Sequence, residues 1–166
     1  MKLLAIDPGN KQSAYVVYEN KKILEAGISP NQELLYNIKY DFLDEGLIPD
    51  HLAIEMVACY GMAVGETVFD TCVWIGRFIQ AFNGDFTQVY RKDVKMHLCN
   101  SMKAKDANVR QAIIDKYPPI GGGKIPQIGI KKQPGLLYGF HDDMWAALGV
   151  AITFSETNKL GVQDGK

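Results

Sequence analysis

Lys2-Leu3-Leu4-Ala5-Ile6-Asp7-Pro8-Gly9-Asn10 decides how the rest of the chain is read. Residues 2–6 are a short apolar run, the pattern of a buried strand, and Asp-Pro-Gly-Asn then imposes a tight turn. Asp7 ends that strand, where a carboxylate is out of place. An unpaired carboxylate among buried neighbours costs several kcal/mol, so Asp7 needs a partner.

Two more carboxylates stand in comparable places. Glu55 interrupts the apolar run at 51–57, the next strand. Asp143, with Asp142 beside it, opens an otherwise apolar final helix at 141–156. Each has a structural explanation by itself. A helix macrodipole stabilises an acid at position 143, Asp7 could cap its own turn, and Glu55 could pair with a core arginine. Taken together they suggest more. If the two strands are adjacent and parallel, Asp7 and Glu55 converge at their C-terminal ends, and the start of the last helix closes over the same spot. Three carboxylates with few histidines favour hard cations such as Mg²⁺ or Mn²⁺ over zinc. Two such ions about 4 Å apart can activate water and stabilise a leaving oxygen in phosphodiester cleavage.

The elements around these positions read in order. Ser13–Tyr18 and Ile23–Gly27, separated by Glu19-Asn20-Lys21-Lys22, form a strand, a hairpin turn and a return strand. Ser29-Pro30-Asn31-Gln32 resembles a capping box with proline at the first helical position. The helix that follows has Leu34, Leu35, Ile38, Phe42 and Leu43 on one stripe and stops at Gly46. A long helix at 66–83 is apolar on more than one side, which predicts packing on the sheet and on a second copy of the chain. A strand at 85–90 leads into a basic helical region at 91–116 with a break near Asn100-Ser101. Residues 117–139, rich in glycine and proline, read as a long loop without regular structure, either functional or disordered. The predicted order is β-β-β-α-β-α-β-α-α, a five-stranded mixed α/β sheet flanked by helices. It forms one domain over 1–156, with a flexible tail at 157–166.

Length and composition agree with one domain. The chain has 166 residues, 47% hydrophobic and 22% charged, which excludes a disordered, collagen-like or low-complexity polypeptide. The first apolar run is too short for a signal-peptide core, and no stretch suits a bilayer span. Three scattered cysteines form neither a zinc pattern nor a disulfide framework. The expectation is a reduced, cytoplasmic protein. The net charge of −1 argues against a nucleic-acid partner, but its distribution argues for one. Residues 91–132 hold ten Lys and Arg against three Asp, leaving eight basic and sixteen acidic side chains elsewhere. Such asymmetry suits one face for a polyanion and an acidic region for metal ions; an ordinary solvated helix face with a loop is the plainer alternative.

Ala5-Ile6-Asp7-Pro8-Gly9-Asn10 followed by Tyr15-Val16-Val17 resembles the opening of the RuvC-type Holliday-junction resolvases. Ala53-Ile54-Glu55-Met56-Val57 is similar to their second acidic strand. Residues 89–95 resemble their following strand and basic helix, and Ala147–Thr153 their C-terminal helix. The compact chain looks most like the resolvases of bacteriophages, which would place it in the host cytoplasm.

That resemblance implies an RNase H-like fold, a two-fold dimer and two Mg²⁺-dependent sites (Mn²⁺ substituting), each with two ions and each nicking one strand of a four-way DNA junction. Asp7, Glu55 and Asp143 match the metal ligands. The family's fourth carboxylate falls on Ala146, leaving Asp142, His141 or Glu66 as replacements. Lys95 matches one lysine near the scissile phosphate; the second falls on Asp106, so Lys105 or Lys103 would supply that charge. A base-stacking aromatic falls on Ala58, with Tyr60 the nearest substitute. Arg91, Lys92, Lys95, Lys103, Lys105 and Arg110 complete the expected DNA-binding set, and the helix at 66–83 is the expected dimer surface. Other RNase H-like nucleases, acting on flap DNA or RNA–DNA hybrids, and a catalytically weak junction-binding protein are the alternatives. The actin-like ATPase and sugar-kinase folds also open with a strand, an Asp and a glycine turn, but they need two such domains.

Overall fold

The computed structural model describes residues 1–40, 42, 46–59, 61 and 63–160. Strands β1 (Lys2–Asp7), β2 (Gln12–Glu19) and β3 (Lys22–Pro30) form an antiparallel meander. Helix α1 (Asn31–Lys39) precedes β4 (His51–Met56), and α2 (Glu66–Phe82) precedes β5 (Phe86–Tyr90). Helices α3 (Arg91–Cys99) and α4 (Asp106–Ile114) follow, then a short ladder of β6 (Gly129–Ile130) with β7 (Gln133–Pro134), and finally α5 (Met144–Leu160).

The main sheet runs β3-β2-β1-β4-β5, with β1 antiparallel to β2 and parallel to β4, and β4 parallel to β5. Its central strands are buried on both faces, which explains their nearly continuous apolar runs. Leu4, Ile6, Leu52 and Ile54 pack against Leu34 and Ile38 of α1 and Ile75 and Phe78 of α2. Leu3, Ala5 and Ala53, pointing the other way, pack against Val94 of α3, Ile113 of α4 and Leu148 and Ile152 of α5. Small residues bring α5 close: a Cβ on Gly149 would stand 3.1 Å from Val94 Cγ1. Asp7 and Glu55 have the parity of this second face.

Several boundaries differ from the sequence reading. There is no capping box at 29–32: β3 continues to Pro30, paired with Gln12, and no side chain caps α1. Asn31 is instead buried and braces the turn after Asp7. Its Nδ2 donates to Gly9 O at 2.9 Å, and its Oδ1 accepts from Ser13 Oγ at 2.6 Å, which in turn accepts from Gly9 N at 3.2 Å. Gly9 itself is required by close approach, since a Cβ there would lie 2.4 Å from Gln12 O. Helix α1 ends at Lys39, earlier than the expected stop at Gly46; the expected stripe residue Leu43 lies outside the described residues.

The break after α3 is present, with Asn100 in the left-handed region at φ 53°. Residues 117–139 are more ordered than a structureless loop. Gly121 N donates to Pro126 O, Gly122 N to Gln133 O, and Gly135 N to Ile128 O, around the β6–β7 ladder. Glycine permits this compact crossing. Gly129 has φ 78°, and a Cβ on it would stand 2.2 Å from Gly135 N. Helix α5 starts at Met144, after the expected 141, and runs on to Leu160 rather than ending at 156. Among the described residues, no helix is long and apolar enough to cross a membrane.

Candidate active site

Strand register brings the first two carboxylates together. Ile6 pairs with Ile54 across the parallel β1–β4 ladder, so Asp7 and Glu55 follow side by side at the C-terminal ends of the two strands. Asp143 immediately precedes α5, and its carbonyl accepts from Ala147 N at 3.1 Å as that helix begins. Its exposed carboxylate faces the same region closely enough for its charge to act on both Asp7 and Glu55.

The electrostatics follow from that convergence. Burial, with the negative charges of Glu55 and Asp143, pushes the Asp7 carboxyl up to about 8. Burial also raises Glu55, against the opposing pull of Arg91 and Lys95. Like charges in a poorly solvated site are relieved by protonation, so below about pH 8 the Asp7 carboxyl holds its proton.

Arg91 is the nearest cation, and its place comes from the second ladder. Glu55 pairs with Val89 and Met56 with Tyr90, so α3 begins one residue beyond the strand pairing. The Arg91 guanidinium therefore lies between two acids. Its Nη2 donates to Asp106 Oδ1 at 2.7 Å, while Nη1 stands 3.6 Å from Glu55 Oε2. Both Glu55 Oε2 and Arg91 Nη1 are buried and make no hydrogen bond. Glu55 thus does meet an arginine, at ion-pair distance only. Asp106 is held below the usual carboxylate range by the Arg91 hydrogen bond. Lys95, half-buried one turn further along α3, also acts on Glu55.

The remaining expected site residues are more dispersed. Lys92, Lys103 and Lys105 are exposed; Lys92 Nζ lies 5.7 Å from the Tyr90 ring, and Lys105 N donates to Asn108 Oδ1 at the head of α4. Among the described residues no ion pair joins Lys103 or Lys105 to the carboxylates, so of the two lysines expected in catalysis the charge of Lys95 reaches Glu55. Asp142 has φ 43° and lies outside the helix, its carboxylate 3.0 Å from His141 Nδ1, with both side chains exposed. The left-handed backbone at 142 turns the chain just before α5, so Asp142 and Asp143 are not successive residues of one helix. Glu66 is the exposed first residue of α2, a helix-start position. Tyr60 lies outside the described residues.

A cleft of about 740 Å³ opens on the Asp106–Asp143 side of the site, lined by Arg91, Asp106, Arg110, Phe140, Asp143 and Trp145 among others, with Asp7 and Glu55 outside its lining. The Arg110 guanidinium lies over the Trp145 ring at 4.8 Å, and Phe140 packs on the same ring at 5.4 Å. The Arg91–Asp106 pair and the Arg110–Trp145 stack escape sequence reading, because each joins residues of different helices; only the coincidence of Asp106 with an expected basic position hinted at the first.

The donors Asp7 and Glu55 are hard oxygen ligands, and the orphaned Glu55 Oε2 lacks a partner that a divalent cation would supply. Among the described residues, no group of three or more His, Cys, Asp or Glu side chains is gathered closely enough to hold a metal ion. Asp143 contributes charge at this geometry, without completing such a group.

No protein-family model matches the chain, and no curated protein sequence matches it significantly. Solved structures do. Thermus thermophilus RuvC superposes with a TM-score of 0.63 at 18% identity, over 97% of each chain. T. thermophilus RuvC in complex with Holliday junction substrate superposes with a TM-score of 0.68 at 18% identity, over 97% of this chain and 96% of that one. The five-stranded mixed sheet with its flanking helices is the RuvC-like variant of the RNase H-like fold.

Proposed function

We propose that the protein is a metal-dependent, structure-selective DNA endonuclease that resolves four-way or other branched junctions by paired nicks. One observation carries this reading: Asp7 and Glu55 stand in register at the ends of two parallel strands, with the head of α5 beside them, in a fold shared over nearly its full length with a RuvC bound to a Holliday junction.

Asp7 and Glu55 would hold Mg²⁺ or Mn²⁺, with Asp143 closing the set and Asp142 a further candidate. Bound divalent cations supply an activated water and charge neutralisation at the scissile phosphate. The chain's own residues do the rest. Burial of the Asp7–Glu55 pair keeps competing water away from the ligands. Lys95 offers an ammonium beside the carboxylates, where negative charge builds on the phosphoryl oxygens as the P–O3′ bond breaks. Arg110, which lines the cleft, and the exposed Lys92, Lys103 and Lys105 would contact backbone phosphates, giving affinity with little base readout. The paired nicks call for two copies of the chain. Helix α2 supports that, because Phe69 and Val73 are 59% and 62% exposed on it.

A second reading, a junction-binding protein with weak cleavage, is favoured by the absence of a gathered three-carboxylate group among the described residues. Cleavage of a labelled synthetic four-way junction separates the two. Duplex, flap and RNA–DNA hybrid serve as controls, in Mg²⁺, Mn²⁺ or chelator, with the parent and Glu55→Gln. Symmetric, metal-dependent nicks lost in the variant support the endonuclease. Tight binding without nicks in either metal supports the binding protein, and preference for flap or hybrid points to another nuclease of the same fold.

A further inference from the structure

Arg91, at the head of α3, stands between two acids, Asp106 and Glu55, at unequal distances. Arg91 makes its short, hydrogen-bonded contact with Asp106 at 2.7 Å, on the cleft side. Its contact with Glu55, 3.6 Å, is too long for a hydrogen bond, although both facing atoms are buried and otherwise unpartnered. A guanidinium free to choose would close on the buried carboxylate, because charge-assisted bidentate contact is strongest where water is excluded. Asp106, whose side chain is 79% exposed, nevertheless has the better geometry.

We propose that Asp106 is a positioning residue that tethers Arg91 clear of Glu55, so that the Glu55 carboxylate stays open to a divalent cation. Without the tether, Arg91 swings in by less than an ångström and pairs fully with Glu55 Oε2, occupying the ligand lone pairs a metal would use. Arg91 is then a built-in competitor of the metal, and Asp106 the group that restrains it. This rests on the metal-binding reading of Asp7 and Glu55 given above.

The test is a double-mutant cycle read by binding of Mn²⁺ alone, without DNA, from the electron paramagnetic resonance signal of the free ion. The four proteins are the parent, Asp106→Ala, Arg91→Gln and the double variant, with Asp106→Asn as a shape-conserving control and circular dichroism verifying the fold. Asp106→Ala is expected to weaken Mn²⁺ binding by about tenfold in the parent background, and by less than about twofold when Arg91 is already Gln. Asp106→Asn, whose amide Oδ1 still accepts from Arg91 Nη2 but carries no charge, should lose less Mn²⁺ affinity than Asp106→Ala; a loss equal to that of Asp106→Ala would point to charge alone and overturn the tether. An equal loss in both backgrounds would mean that Asp106 acts only as a distant negative charge, and overturns the tether. A parent that binds no Mn²⁺ overturns the metal reading itself, and the tether with it.

Discussion

Asp7 and Glu55 stand next to each other across the β1–β4 ladder, one step beyond the Ile6–Ile54 pair, and both lie on the sheet face covered by α5. Parallel pairing makes this possible: β1 and β4 run in the same direction, so their C-terminal residues reach the same end of the sheet. With Asp143 at the head of α5, the arrangement concentrates negative charge where the sheet is otherwise apolar.

Removing one of the paired charges separates chemistry from folding. Glu55→Gln keeps the shape of the side chain and is expected to cut junction cleavage by about 10³-fold while leaving junction affinity within a fewfold. Single-turnover cleavage and a binding titration on the same preparations check both halves.

The raised Asp7 carboxyl predicts a pH dependence of stability in the metal-free protein. Its folded value of about 8 lies above the ordinary 3.8, so between those values the folded state holds a proton the unfolded chain has released. Stability must therefore fall as pH rises from about 4 to about 8 and level off above. Urea unfolding in chelator at several pH values should show this slope, and Asp7→Asn should flatten it.

Asn31 holds the turn that carries Asp7. Truncation to Ala leaves Gly9 O and Ser13 Oγ without their partner inside a buried network. The expected loss is about 2–3 kcal/mol in denaturant unfolding. Ser13→Ala should cost less, and the combination less than the sum, since both report on one network.

The glycine-built crossing at 117–139 should be sensitive at its tightest point. Gly129→Ala forces a Cβ against Gly135 N at a positive φ. Local stability should fall by more than about 2 kcal/mol, read as faster hydrogen exchange at Gly121, Gly122 and Gly135, with α1 and α2 unchanged.

The exposed apolar side of α2 predicts an assembly defect without a folding defect. Phe69→Glu with Val73→Lys should leave unfolding free energy within about 0.5 kcal/mol of the parent, because both side chains face solvent in the single chain. Sedimentation at micromolar concentration should move from dimer to monomer. A parent that is already monomeric removes the dimer from the proposed mechanism.

Much of this was legible in the sequence, for local reasons. Apolar runs at 2–6 and 51–57 announced buried strands, and the carboxylates Asp7, ending the first, and Glu55, inside the second, stood out because buried charge is expensive. The helix break at Asn100 was visible as an Asn-Ser step in a basic helical region. The cap at Ser29-Pro30 misled: the strand pairing of Pro30 with Gln12 outweighed a local helix-start pattern. The 117–139 segment misled as well, since glycines there serve close backbone crossings rather than absence of structure.

The sequence by itself determined which carboxylates are anomalous, because burial cost depends on neighbours within one strand or helix turn. Only the tertiary structure decided what surrounds them. The β4–β5 register sets Arg91 beside Glu55, and the packing of α4 beside α3 sets Asp106 on the guanidinium's other side. Those contacts join residues 36 and 15 positions apart through strand pairing and helix docking. No periodicity along the chain encodes such a distance; it is fixed when the sheet and its covering helices close on one core.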